Sequence, residues 1–290
     1  MNQATHAPSV SVSELRLPLA SRLASFGELF WLTLRQHTHG RRLVVLVLLL
    51  ALPCVLAIML RSLSRPAPAD ILEFALVFGL IPHALAPLTA LLYAAGMIQD
   101  EVEGQTLTYL LLRPLPKWTI YLTKWLATLL VCVFLIGFFT FTLYLAIYWG
   151  TPQLWTEIVP GRAWKTVVIL ALAQLGYCSL FGCLGLLFRH TLIAGVAYIV
   201  LLEGVIANVA FVGRALTVVY YFRVLILRWL ELPDLMQRQW VRAWQLDLAT
   251  MPAAPKCVET VVVASLAVTI FSAWWFSRSE FALKTPESSG

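Results

Sequence analysis

The chain has 290 residues, of which 60% are hydrophobic and 12% charged, with a formal net charge of +6 and a mean hydropathy of +0.81. This balance is far outside the soluble globular range. It excludes a soluble enzyme or a nucleic-acid-binding domain and predicts an all-α polytopic membrane protein.

In chain order, residues 1–21 are polar and Pro/Ser-containing, and are expected to be a disordered cytoplasmic N-terminus. Residues 22–42 predict a helix lying in the membrane interface, with Leu23, Phe26, Phe30 and Leu34 on one side and Ser25, Glu28 and Arg35 on another. His37 and His39 fall on this segment and are expected to be surface residues rather than metal ligands. The first apolar run starts at Leu43, too late and too long for a cleaved secretory signal, so the first span is expected to be retained.

Six spans are expected at about 43–60, 74–99, 119–148, 166–188, 191–212 and 257–277, from windows near or beyond the ~18–20 residues that cross hydrocarbon. Trp118, Trp149, Trp155, Trp164, Trp274 and Trp275 lie near their ends, as an aromatic belt would place them. Five Lys and Arg precede the first span and two follow it, which predicts an N-terminus on the cytoplasmic side. Six spans then return the C-terminus to the same side. Cys54, Cys132, Cys178, Cys183 and Cys257 sit in or beside apolar runs without a CxxC pair or Cys/His ligand spacing, and are read as small packing residues.

Between the second and third runs stands QDEVEGQTLTYLLLRPLPKWTIYLTK, Gln99 to Lys124. Asp100, Glu101 and Glu103 open a stretch in which Leu107, Leu110 and Leu111 share a helical face, and Arg113 closes it, in keeping with the helix macrodipole. Pro114 stops that helix and Pro116 can open the next. The prediction is a short charged helix over about 101–113, followed by a sharp turn.

The fifth run, Thr191 to Val212, is interrupted only by Glu203, which lies about 18 Å from the cytoplasmic end at ~1.5 Å per residue. An ionisable residue at that depth is a functional candidate by default. His83 and Gln174 fall at comparable depth, so Glu203 is expected to pair with one of them or with a neighbouring backbone group. Gly176, Ser179, Gly182, Cys183 and Gly185 permit close helix approach, either within the bundle or at a dimer seam. Residues 213–256 alternate aromatic and aliphatic residues with Arg223, Arg228, Arg238 and Arg242. They are expected to be an external loop on the outer membrane surface, either a gate or re-entrant cap over a translocation path or an interfacial segment that merely packs on the bundle.

No G-x-x-x-x-G-K-[ST] loop, H-E-x-x-H pair or G-x-S-x-G elbow occurs, so no catalytic or metal-binding residue is assigned and any ATP chemistry is expected on another chain. The run with Glu101, Glu103, Gly104, Thr106, Leu110, Leu111, Arg113, Pro114, Pro116 and Lys124 resembles the segment after the second span of ABC-2 type transporter permeases. A weaker likeness is YIVLLEGVIAN, Tyr198 to Asn208, to the Glu-bearing fifth span of some members. Gln105 departs from the pattern, since many relatives place Thr directly after the Gly.

The resemblance implies a permease subunit, with a coupling helix that docks on a separate ABC ATPase through Glu101, Glu103, Thr106, Leu107, Leu110, Leu111 and Arg113. It also implies a second permease chain, identical or related, with ATP and Mg held by the partner ATPase and membrane lipids around the bundle. Two other classes remain open: a secondary transporter, which would show an internal repeat, and an intramembrane lipid-modifying enzyme, which would gather polar residues near one interface.

Overall fold

The computed structural model describes residues 19–63, 67–103, 116–152, 156, 158–209, 212–230, 234–246 and 251–279. The described residues are helical and contain no strand. Six helices are long and apolar enough to cross a membrane: α2 (Arg41–Ser62), α3 (Ala69–Glu101), α4 (Lys117–Tyr148), α5 (Ile158–Leu187), α6 (Thr191–Asn208) and α9 (Ala254–Arg278). Among the described residues, three further α-helices pack with them: α1 (Leu19–His39), α7 (Val218–Trp229) and α8 (Asp234–Ala243).

The helix α1 packs along the first turns of α4, with Leu29 and Thr33 buried and Phe26, Phe30 and Leu34 half-buried, so the amphipathic face expected from the sequence is the packed one. It ends earlier than expected. Gly40 interrupts the helix, and Arg41 and Arg42 form the first turn of α2.

Spans α3 and α6 are not uniformly α-helical. Glu73–Leu85 in α3 and Ile199–Val205 in α6 are wound as π-helix, the first carrying Pro82, which has no N–H to give to the ladder. These two wide-turn segments touch one another.

Helix α5 is apolar on all sides, as its position demands: it packs against α3, α4, α7 and α9. Its small residues allow these approaches. A Cβ on Gly185 would stand 2.6 Å from the Ala95 carbonyl oxygen of α3, and one on Gly176 would stand 3.3 Å from Val218 Cγ2 of α7. Ser179 accepts a hydrogen bond from Thr269 of α9 at 3.0 Å. Within the protomer, therefore, the small-residue stripe serves bundle packing. All five cysteines are free, with Cys183 half-buried and the other four buried.

Gly185→Ala is expected to destabilise the chain by about 1–3 kcal/mol, because the atom it meets is backbone and cannot swing away. Gly161→Ala, in the first turn of the same helix with nothing within 4 Å, is the matched control and is expected to leave stability unchanged or slightly raised. Thermal unfolding of the two variants in detergent gives the comparison.

Part of the segment expected as an external loop is inserted in the bundle, a placement nearer to the re-entrant alternative than to a surface loop. The helix α7 has Phe222, Val224, Leu225 and Ile226 at 2% exposure or less, and it packs on α5 and α9. Its N-terminus stands at the level of Gly176 and Ser265, near the middle of those two spans. Its other end reaches the start of α9, where Arg228 donates to the Met251 carbonyl at 3.2 Å. Trp240 and Trp244, from α8 and just beyond it, cover Phe74 and Phe78 of α3, with ring centroids 4.8–5.7 Å apart.

Candidate functional site

Three polar clusters interrupt the apolar bundle. At the end of α3 that leads into the Gln99–Lys124 run, side chains lock the root of that run to its neighbours. Arg42 of α2 pairs with Asp100, its Nη2 2.9 Å from Oδ1. Lys124 of α4 donates to Glu101 at 2.7 Å and to the Met97 carbonyl at 3.2 Å, and only 3% of its side chain is exposed. Gln99 donates to the Arg189 carbonyl at 2.6 Å and accepts from Thr191 at 2.8 Å, which ties in the turn before α6. Gly96 makes room for the Arg42–Asp100 pair, since a Cβ there would press on both side chains.

His37, expected at the surface, is half-buried between α3 and α4: its Nε2 lies 2.9 Å from Thr128 Oγ1 and its carbonyl accepts from Tyr93 at 3.2 Å. Burial lowers its pKa to about 4, assisted by the nearby Lys124 and Arg42 cations, so it is neutral at physiological pH.

Of the residues expected to contact an ATPase, Glu101 is turned inward to Lys124. Thr106, Leu107, Leu110, Leu111 and Arg113 lie outside the described residues, as does the side chain of Glu103.

The second cluster surrounds Glu203. The carboxylate sits on the N-terminus of α7 and accepts from the backbone N–H of Val218 at 3.0 Å and of Val219 at 3.1 Å. Tyr198 donates to it at 3.0 Å. Two converging N–H groups and the positive end of the helix dipole offset the cost of burying the charge. Among the partners expected for Glu203, the backbone group is the one found. Gln174 instead donates to the Ala86 carbonyl at 2.9 Å.

His83 is engaged by Arg223 of α7. Its Nδ1 donates to the Gly79 carbonyl at 2.7 Å, and its Nε2 faces the Arg223 guanidinium, an arrangement that a neutral ring with its proton on Nδ1 satisfies. Arg223 also donates to the Ala207 carbonyl at 3.0 Å and to Asn208 at 2.7 Å, and its guanidinium lies 5.7 Å from the Trp244 ring. The α6 end, the α7 start and the α3 π-helix are thus joined by one network. The sequence reading placed Arg223 in an external loop. The available signal was Thr217 before an apolar run, an N-cap that the structure uses: its Oγ1 accepts from the Tyr220 N–H at 3.3 Å.

A third cluster was not anticipated. Glu73, fully buried near the start of α3, pairs with Arg162 of α5 at 2.9 Å and accepts from Tyr144 at 3.0 Å and from Tyr148, both on α4. These groups hold three spans together at the end opposite Asp100. What the three clusters supply is linkage between helices.

Comparison with known proteins bears on what that linkage serves. Residues 38–222 match the family model described as ABC-2 family transporter protein, from the last residues of α1 into the first turn of α7. No curated protein matches the chain.

Proposed function

The chain belongs to the ABC-2 family of transporter proteins, and from that premise we propose that it is the permease subunit of an exporter driven by ATP hydrolysis on a separate ABC ATPase. It is an integral membrane protein and a membrane transport subunit. The finer reading places it in a bacterial cytoplasmic membrane with both termini inside, beside a second permease chain, identical or related. ATP and Mg are then held by the partner ATPase.

The observation that carries this reading is how the root of the 101–113 segment is fastened. Gln99, Asp100 and Glu101 are bonded respectively to the turn before α6, to α2 and to α4. A push on the segment from a docked ATPase therefore reaches three spans at once, without first straightening a slack loop. The mid-bundle contacts of α6, α7 and α3 lie further along the same spans and are suited to relay the movement toward the opposite end.

The test is affinity purification of the full chain from its native membrane in mild detergent, with co-purifying proteins identified by mass. A stoichiometric soluble partner with a phosphate-binding loop is expected. A folded preparation with no such partner would move the assignment to a free-standing transporter.

A further inference from the structure

We propose that the open cavity lined by α1, α2, α3 and α4 at the Asp100 end is a binding site for the phosphate-bearing headgroup of a membrane phospholipid. The cavity measures about 470 Å³, within the range of small-molecule sites. Its wall carries Arg41, Arg42 and Lys124 against Asp100 and Glu101, so one positive charge is in excess. His37 adds none, because burial keeps it neutral at physiological pH.

Two of the cations are already matched: Arg42 by Asp100 and Lys124 by Glu101. Arg41 makes no ion pair among the described residues. Lys124 uses two of its three donors on Glu101 and Met97, which leaves one for a ligand. Arg41 also stands in the first turn of α2, where the positive end of the helix disfavours a cation and Gly40 supplies no side-chain cap. An anion lodged between Arg41 and Lys124 answers the charge excess and the uncapped helix end together.

The surroundings choose between a lipid and free phosphate, which share this chemistry. Trp31 and Leu32 on α1 and Val44 and Val45 on α2 are exposed apolar side chains close in sequence to the cavity wall. They offer a surface for acyl chains and give a soluble anion nothing. The proposal requires no ATPase, so it stands or falls separately from the coupling assignment.

The test is thermal unfolding of the full chain in mild detergent with three probes: dioleoyl phosphatidylglycerol, dioleoylglycerol with the same tails and no phosphate, and inorganic phosphate. Phosphatidylglycerol is expected to raise Tm in a saturable way, while the other two leave it unchanged. An equal rise with inorganic phosphate assigns the site to a free anion, and an equal rise with dioleoylglycerol assigns it to acyl chains. Either result overturns the proposal, as does no rise with phosphatidylglycerol.

Arg41→Glu is expected to raise the lipid concentration for half-maximal stabilisation at least tenfold. An acid in the first turn of α2 suits the helix dipole, so this variant should fold. Arg35→Glu makes the same charge change on an exposed face of α1 outside the cavity wall and is expected to keep the response. Equal loss in both variants would indicate diffuse attraction to an anionic surface and would remove the site.

Discussion

Replacing Leu110 and Leu111 together by Asp is expected to abolish co-purification of the ABC ATPase proposed as the partner, while leaving membrane insertion intact. With Leu107 they fall at i, i+3 and i+4, one face of a helix, which is the pattern a groove on a partner recognises. A buried Leu contributes about 1.5–3 kcal/mol. Loss of two removes about 3–6 kcal/mol, and at ~1.4 kcal/mol per decade this is a factor of about 10²–10⁴ in affinity. Burying two carboxylates without partners adds a further penalty. Glu103 and Arg113 flank the leucines and are expected to act on orientation and association rate more than on affinity, so neutralising either should slow assembly without preventing it. The comparison is made on membrane fractions of equal permease content, with Tm as the folding control. Wild-type recovery of the ATPase by the double variant would remove the leucine face from the interface.

Five of the six spans were legible because each contains a long charge-free window, the pattern a bilayer-crossing helix imposes, and the fifth was legible because Glu203 alone interrupts it. The same criterion concealed the Glu73–Arg162 cluster. Span α3 was expected to start at Phe74 and α5 at Thr166, one residue beyond Glu73 and four beyond Arg162. A window reads each charge as a penalty, yet the two cancel across the helix pair once packed at 2.9 Å. Similarly, α7 has 12 residues, about 18 Å of helix, too short to be recognised as a span by length. Its alternating Arg and aromatic residues suit a membrane surface as well as a buried network, and only its contacts with α5 and α9 decide between them.

The 101–113 segment, proposed to couple to an ATPase, shows the opposite balance. Its likeness to the family lies in local sequence, whereas the inward turn of Glu101 depends on Lys124, 23 positions away and across a helix break. Glu203 lies between these cases. Its depth followed from counting residues, but its partners are N–H groups of a helix whose position the sequence did not disclose.

Those partners give Glu203→Ala a large expected effect. Removing the carboxylate leaves the Val218 and Val219 N–H groups without their acceptor in an apolar site, and also strips Tyr198 of its hydrogen bond. At about 1–3 kcal/mol for each orphaned buried donor, the two N–H groups alone account for a loss of about 2–6 kcal/mol. At about 2–4 °C per kcal/mol, this is a large fall in Tm, with reduced folded yield.

Glu203→Gln separates the cap from any role of the charge in transport. Its amide oxygen can still accept from the helix end, while the interaction of a full negative charge with the dipole, up to about 2 kcal/mol in a partly buried setting, is lost. If Glu203 serves to anchor α7, the Gln variant should show a smaller fall in Tm, and ATP hydrolysis by the assembled complex should be unchanged per folded molecule. A Gln variant with wild-type Tm but no stimulated hydrolysis would place the charge in the transport cycle. Arg223→Met is the companion variant, because it releases His83, Ala207 and Asn208 from the same helix without touching its cap. If α7 moves as one body, Arg223→Met should weaken coupling while Glu203→Gln does not, since the guanidinium bridges α7 to α3 and the carboxylate only seats its N-terminus.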